Sequence, residues 1–163
     1  LIGSWTVSFD TLMGGPGKVK FEKLSDWSKN PDTGIKYYSG MGKYQKTFTY
    51  QINNPLSPDK KIYIDLGDIS EVAELWLNGQ SLGITWAKPF KFDVTGIIKN
   101  GANVLTVEVA NTWCNRIIGD AITGQKFTST NITRVDRSRW DEVPLNPSGL
   151  LGPVTVQVVG LVR

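Results

Sequence analysis

Along most of this chain, apolar and polar residues alternate one by one. In "KIYIDLGD", Ile62, Ile64 and Leu66 fall on one face, and Tyr63 and Asp65 on the other. In "VAELWLNGQSLG", Ala73, Leu75 and Leu77 alternate with Glu74 and Trp76. "NVLTVEVAN" sets Leu105, Val107 and Val109 against Val104, Thr106 and Glu108. "KYQKTFTYQI" puts Tyr44, Lys46, Phe48 and Tyr50 on one side. "SWTVSF", "KVKFEKL" and "VTVQVVGLV" (the last with Val154, Val156 and Val158) read as further strands. A period of two is the signature of half-buried β-strands. Asn78-Gly79 between two alternating runs predicts a tight hairpin, because both central residues of a type I′ turn need positive φ.

About nine short strands and no convincing helix follow from this pattern. "DVTGIIKNGAN" predicts a single turn over Val94 to Ile98, stopped by Asn100-Gly101. The chain holds 17 Gly and 8 Pro, falling mostly between the runs. The expected fold is therefore all-β, an antiparallel β-sandwich of the jelly-roll kind with little helix. Nothing divides residues 1–163 into separate units, so a single domain is expected. Two long irregular segments stand out, Asp26 to Met41 and roughly Trp113 to Pro153. Such segments in a compact sandwich usually carry function or form interfaces.

Composition narrows the chemistry. The chain contains no His, which excludes Ser-His-Asp, Cys-His and His-liganded zinc chemistry within it. Its one Cys, Cys114, leaves no internal disulfide and reads as a small apolar filler. The 18 basic and 15 acidic residues are interspersed, without the concentrated patch that nucleic acid requires. No apolar run is long enough to span a bilayer, so no membrane partner is expected. No basic-then-apolar leader is present, so any signal peptide is expected to have been removed or to belong to a longer precursor.

The stretch "VANTWCNRIIGD" breaks the alternation. It supplies Trp113, Asn115, Arg116 and Asp120 within a short span, and Trp86 and Trp140 are candidate aromatic platforms. Sugars offer hydroxyl pairs and apolar C–H faces, which such side chains recognise. The same side chains also tie down loops. Loop pinning, glycan contact and an interface with another domain therefore all remain open for this set. Trp5, Trp27 and Trp76 read as core or loop anchors.

Jelly-roll catalysis needs two carboxylates about 5–10 Å apart across a cleft. Glu74 and Glu108 lie on predicted strands, but no Glu-x-Asp-x-Glu spacing occurs, so no catalytic residue is assigned. A structural calcium needs only loop oxygens and is left open, though no twelve-residue calcium loop supports it; no other cofactor or metal is expected.

The run "VAELWLNGQSLGITWAKPFKFDVTGIIKNGANVLTVEVAN" resembles the sugar-binding, galactose-binding-like β-sandwich of glycoside hydrolase family 2 and its relatives. The shared elements are Leu77-Asn78-Gly79, Gly83, Trp86, Pro89-Phe90, Asp93-Val94-Thr95, Gly101-x-Asn103 and the strand ending at Asn111. The flanks "LSDWSKNPDTGIKYYSGMGKYQKTF", "NTWCNRIIGD" and "NPSGLLGPV" look like the C-terminal domain of large bacterial α-L-rhamnosidase-like enzymes, glycoside hydrolase family 106 and related proteins. The resemblance spans about residues 20 to 158. In such enzymes the hydrolytic carboxylates are expected on a separate barrel.

The resemblance thus implies a non-catalytic accessory domain of a larger periplasmic or extracellular bacterial glycoside hydrolase. Its implied partners are carbohydrate and the parent's catalytic domain. A free-standing carbohydrate-binding module is the alternative, with an autonomous jelly-roll glycosidase behind it. Within the shared pattern, Asn78-Gly79, Asp93, Gly101 and Asn103 have structural reasons to be there. Asp93 is placed to cap the turn at Val94, and Asn103 to bond its own turn.

Overall fold

The computed structural model describes residues 1–52, 57, 59–129 and 137–160. Among them are eleven strands: β1 (Trp5–Phe9), β2 (Lys18–Phe21), β3 (Met41–Tyr50), β4 (Lys60–Asp65), β5 (Asp68–Ile69), β6 (Val72–Leu77), β7 (Gln80–Thr85), β8 (Lys91–Asp93), β9 (Gly101–Ala110), β10 (Leu150–Gly152) and β11 (Thr155–Gly160). Two of these, β5 and β10, are only two and three residues long, which is why the alternation pattern passes over them. The end of the predicted last strand, Leu161-Val162, lies outside the described residues.

Six strands form one sheet in the order β2-β1-β3-β9-β6-β7. A three-stranded sheet, β11-β4-β8, and the small β10-β5 pair make up the rest. Every pairing between strands is antiparallel. The inward residues of both layers join one buried cluster. Val7, Tyr44, Leu75, Leu77, Leu105 and Val107 come from the large sheet, and Ile62, Ile64, Phe92 and Val154 from the other side. This is the predicted all-β galactose-binding-like sandwich.

The hairpin turn is as expected. Asn78 and Gly79 sit at φ 55° and 83° between β6 and β7. The Asn78 side chain also ties this end of the sandwich together. Its Oδ1 accepts from Val104 N (3.0 Å), and its Nδ2 donates to Ile97 O (3.1 Å) and Asn103 Oδ1 (2.9 Å). Buried Asn103 closes the turn before β9, accepting from Lys99 N (2.8 Å) and donating to the carbonyls of Lys99 (2.8 Å) and Gly101 (3.1 Å). Asp93 caps the Val94 turn, accepting from Thr95 N at 3.0 Å.

Helix is scarce, as expected, but part of the long segment after β9 is helical rather than a loop. A four-residue helix, α1 (Thr33–Lys36), lies in the first long segment, and a ten-residue helix, α2 (Cys114–Thr123), follows β9. Helix α2 ends at Gly124, which adopts the left-handed conformation (φ 73°) and donates to Asp120 O. Its pattern is hidden because the buried face holds Asn115, Arg116, Ile118 and Gly119 rather than a run of apolar residues. Gly119 permits the docking: a Cβ there would lie 2.4 Å from Cβ of Tyr37.

Candidate functional site

Helix α2 presents two different sides to the protein. One is an amide network. Asn111, just past β9, accepts from Gly40 N (2.9 Å) and donates to Tyr38 O (2.9 Å) and Ser148 Oγ (3.0 Å). Asn115, 1% exposed, donates to Asn146 O (2.8 Å) and Ser148 Oγ (3.0 Å), and its Oδ1 accepts from Asn146 N at 2.8 Å. Ser148 N donates to Asp26 Oδ1 (2.9 Å), and Ser148 O accepts from Trp27 N (2.9 Å). One layer below, the Tyr44 hydroxyl receives both Trp27 Nε1 (2.6 Å) and Leu150 N (3.0 Å). Burial pushes that phenol well above its ordinary pKa, so it stays protonated. Three segments far apart in sequence are thus stitched together around Asn111, Asn115 and Ser148.

The other side is charged. Arg116 is 2% exposed, and its backbone N donates to Ser39 Oγ at 3.1 Å. Its guanidinium lies 4.9 Å from the centre of the Phe127 ring, a cation–π contact. Asp120, one turn on, spends Oδ2 on the following loop, accepting from Phe127 N (3.0 Å), Thr128 N (2.9 Å) and Thr128 Oγ1 (2.9 Å). Its Oδ1 stands 3.8 Å from Arg116 Nη1, an ion pair too long to be a good hydrogen bond. Burial lowers the pKa of Arg116, and the Asp120 carboxylate works against that shift.

The structure places Asn115, Arg116 and Asp120 on one buried helix rather than an exposed loop, with Arg116 and Asp120 on one side of it and Asn115 on the other. Trp140, on the 3-10 segment Arg137–Glu142, joins them by lining the same cavity as Asp120. Trp113 and Trp86 do not join: they are 55% and 73% exposed and are not among the residues lining that cavity. Sequence reasoning missed Ser148, Asn146, Asp26 and Ser39 as partners. The quoted run "NPSGLLGPV" was the available signal, because its Ser and Gly sit where the chain must pass close to Trp27 and Tyr44.

Glu74 and Glu108 are direct cross-strand partners on the outer face of the large sheet. Glu108 pairs with Lys43 at 3.0 Å, and Glu74 accepts from Ser81 Oγ at 3.0 Å. They lie on an open sheet surface, not across a cleft of the kind a glycosidase uses. Among the described residues, no three His, Cys, Asp or Glu side chains gather where a metal ion could be held.

Comparison with known proteins places this architecture. Residues 23–140 match the family described as glycosyl hydrolase 2 galactose-binding domain-like, and the chain belongs to that family. A putative beta-glucuronidase from Formosa agariphila is 37% identical over 98% of this chain, which spans 15% of that relative's length. The solved rhamnosidase from Novosphingobium sp. PP1Y superposes with a TM-score of 0.86 and 33% identity, over 97% of this chain and 14% of its own. A beta-glucuronidase from an uncultured Clostridium sp. shares the fold (TM-score 0.55, 23% identity, 68% of this chain and 21% of its own).

Proposed function

We propose that this chain is a non-catalytic accessory domain of a bacterial glycoside hydrolase, one domain over residues 1–163, that supports a separate catalytic domain. One observation carries the reading: the likeness runs across nearly all of this chain and only a small part of much larger glycosidases. The amide network supports it, because it makes the α2 corner a rigid body suited to bracing a neighbour. The parent acts on α-L-rhamnosides in this reading, on the strength of the likeness to the Novosphingobium rhamnosidase, and works in the periplasm or outside the cell. The flanking stretches point to the C-terminal end of the parent, whereas the family match points to its N-terminal end. The order of domains in the full gene product separates those two.

A second reading, a carbohydrate-binding module, is favoured by the two solvent-facing indoles of Trp86 and Trp113. The test of the main reading is hydrolysis of aryl α-L-rhamnosides and aryl β-D-glucuronides by the pure chain and by the full-length parent. The parent is expected to turn over one of them and the isolated chain neither. Turnover by the chain alone that disappears in Glu74→Gln or Glu108→Gln would overturn the proposal.

A further inference from the structure

The two larger sheets end in the edge strands β2, β7, β11 and β8. An edge leaves one row of backbone N–H and C=O groups unpaired, a template on which another strand can add. Proteins guard such edges with lysines, bulges or brevity. Three of the edges here follow that rule. β2 carries Lys18 and Lys20, both exposed. The pairing of β7 with β6 slips register between Glu74 and Trp76, and Gly83 within β7 sits at φ 89°. β8 is three residues long, and two of them are Lys91 and Asp93.

β11 has none of these devices. It runs six residues without a charge or a proline, in unbroken register with β4 from Thr155 opposite Asp65 to Gly160 opposite Lys60. Among the described residues, β4 is its only partner. Its side chains are uncovered as well. Val154 is buried and Val156 packs against the core. Val158, next on the same face, is 52% exposed, and Val159 on the other face is 42% exposed. The interior of the sandwich is thus open at this end of the edge.

The side chains select the occupant. An added strand would set every second residue beside Val156 and Val158, where apolar side chains fit. The residues between would lie beside the polar Thr155 and Gln157. Backbone bonds supply the affinity, and that alternation supplies the register. A strand pair alone is marginal in water, so the occupant has to be close at hand. A strand in the same polypeptide meets the edge at an effective concentration on the order of millimolar, which a second copy of the protein does not reach. The relatives have the necessary polypeptide: this chain spans 15% of the Formosa relative and 14% of the Novosphingobium rhamnosidase. We propose that β11 is an acceptor edge, completed by an extended segment of the parent polypeptide outside residues 1–163. That segment alternates apolar and polar residues and joins the three-stranded sheet. The proposal rests on the accessory reading and gives the place where the parent holds this domain.

The test is hydrogen exchange, read by mass spectrometry over residues 155–160 in the pure chain and in the full-length parent. In the pure chain the amides facing away from β4, about half of the strand, are expected to exchange as fast as an open loop. In the parent they are expected to slow about tenfold or more. Val158→Lys sets a charge where the added strand would lie. The pure chain should then melt as before, and in the parent the fast exchange should return. If the variant does not fold, the unmodified pair decides alone. Equal exchange in chain and parent would overturn the proposal, and so would protection in the parent that Val158→Lys leaves intact. Protection in the pure chain that grows with its concentration would give the edge to a second copy and overturn it too. Each of these results leaves the accessory reading standing, which falls only if the pure chain hydrolyses a glycoside.

Discussion

Asn115 and Arg116 are adjacent residues on one helix, both almost wholly buried, and their surroundings are opposite. Around Asn115, each side-chain polar atom has a partner on a distant segment. Around Arg116, two guanidinium nitrogens and the nearest carboxylate oxygen have none among the described residues. The first arrangement stabilises a fold. The second costs stability, because a buried charge gains from its neighbours only when geometry and hydrogen bonds are good. Burial alone therefore does not mark a residue as structural; the accounting of its hydrogen bonds separates the two roles.

The largest effect is expected on the amide side. Asn115→Leu strands Asn146 N and removes one of two donors from each of Asn146 O and Ser148 Oγ, and should cost about 3 kcal/mol. For a chain of this size that lowers the melting temperature by roughly 10 °C. A scanning calorimetry trace that moves by only a degree or two would break the distinction between the two sides.

The hairpin end gives a smaller, purely conformational reference. Gly79→Val forces a β-branched residue to positive φ, and a Cβ added there meets nothing within 4 Å. The cost is that of the backbone alone, about 1–2 kcal/mol by urea titration. An unchanged midpoint would mean that the turn tolerates the strain and that the reference is void.

The exposed pair of Asp93 with Lys61 (2.7 Å) calibrates surface electrostatics. The Lys61 hydrogen bond and the Thr95 hydroxyl hold the Asp93 carboxyl down at about 2, against an ordinary 3.8. A depressed folded-state pKa means the contribution is present above the ordinary value and is lost as pH falls from about 4 toward about 2. Because the pair is open to solvent, the effect should be smaller than either change above and should fade in high salt. Melting of wild type and Asp93→Asn across that pH window checks it: the two should converge at the acid end. Curves that run parallel down to pH 2 would assign the pair no role.

The sequence made the hairpin end readable because its signals are local. Asn78-Gly79, Asp93 and Asn103 act on backbone within a few residues or on the adjoining strand, and each residue type states its purpose. The sandwich was readable for the same reason, since period two needs no knowledge of partners. Helix α2 was not. Its buried face pairs amide and guanidinium with a glycine, so the usual apolar stripe at helical spacing is absent. Its partners Asn146 and Ser148 lie more than thirty residues on, with no pattern linking them to Asn115. The residue types Asn115, Arg116, Asp120 and Trp140 are legible as polar and aromatic candidates, but their division between two sides of one helix is not. Trp86 and Trp113 were grouped with them on chemistry alone, and the fold keeps these two on the outside.

Arg116→Met tests the central claim most directly when melted beside Asn115→Leu under identical conditions. Methionine keeps the unbranched apolar length over Phe127 and removes the charge, and Asp120→Asn in the same variant avoids leaving the carboxylate without its cation. The account predicts a stability within about 1 kcal/mol of wild type, or above it, while Asn115→Leu falls steeply. Equal and large losses in both variants would contradict it, and would make Arg116 a structural pin like its neighbour.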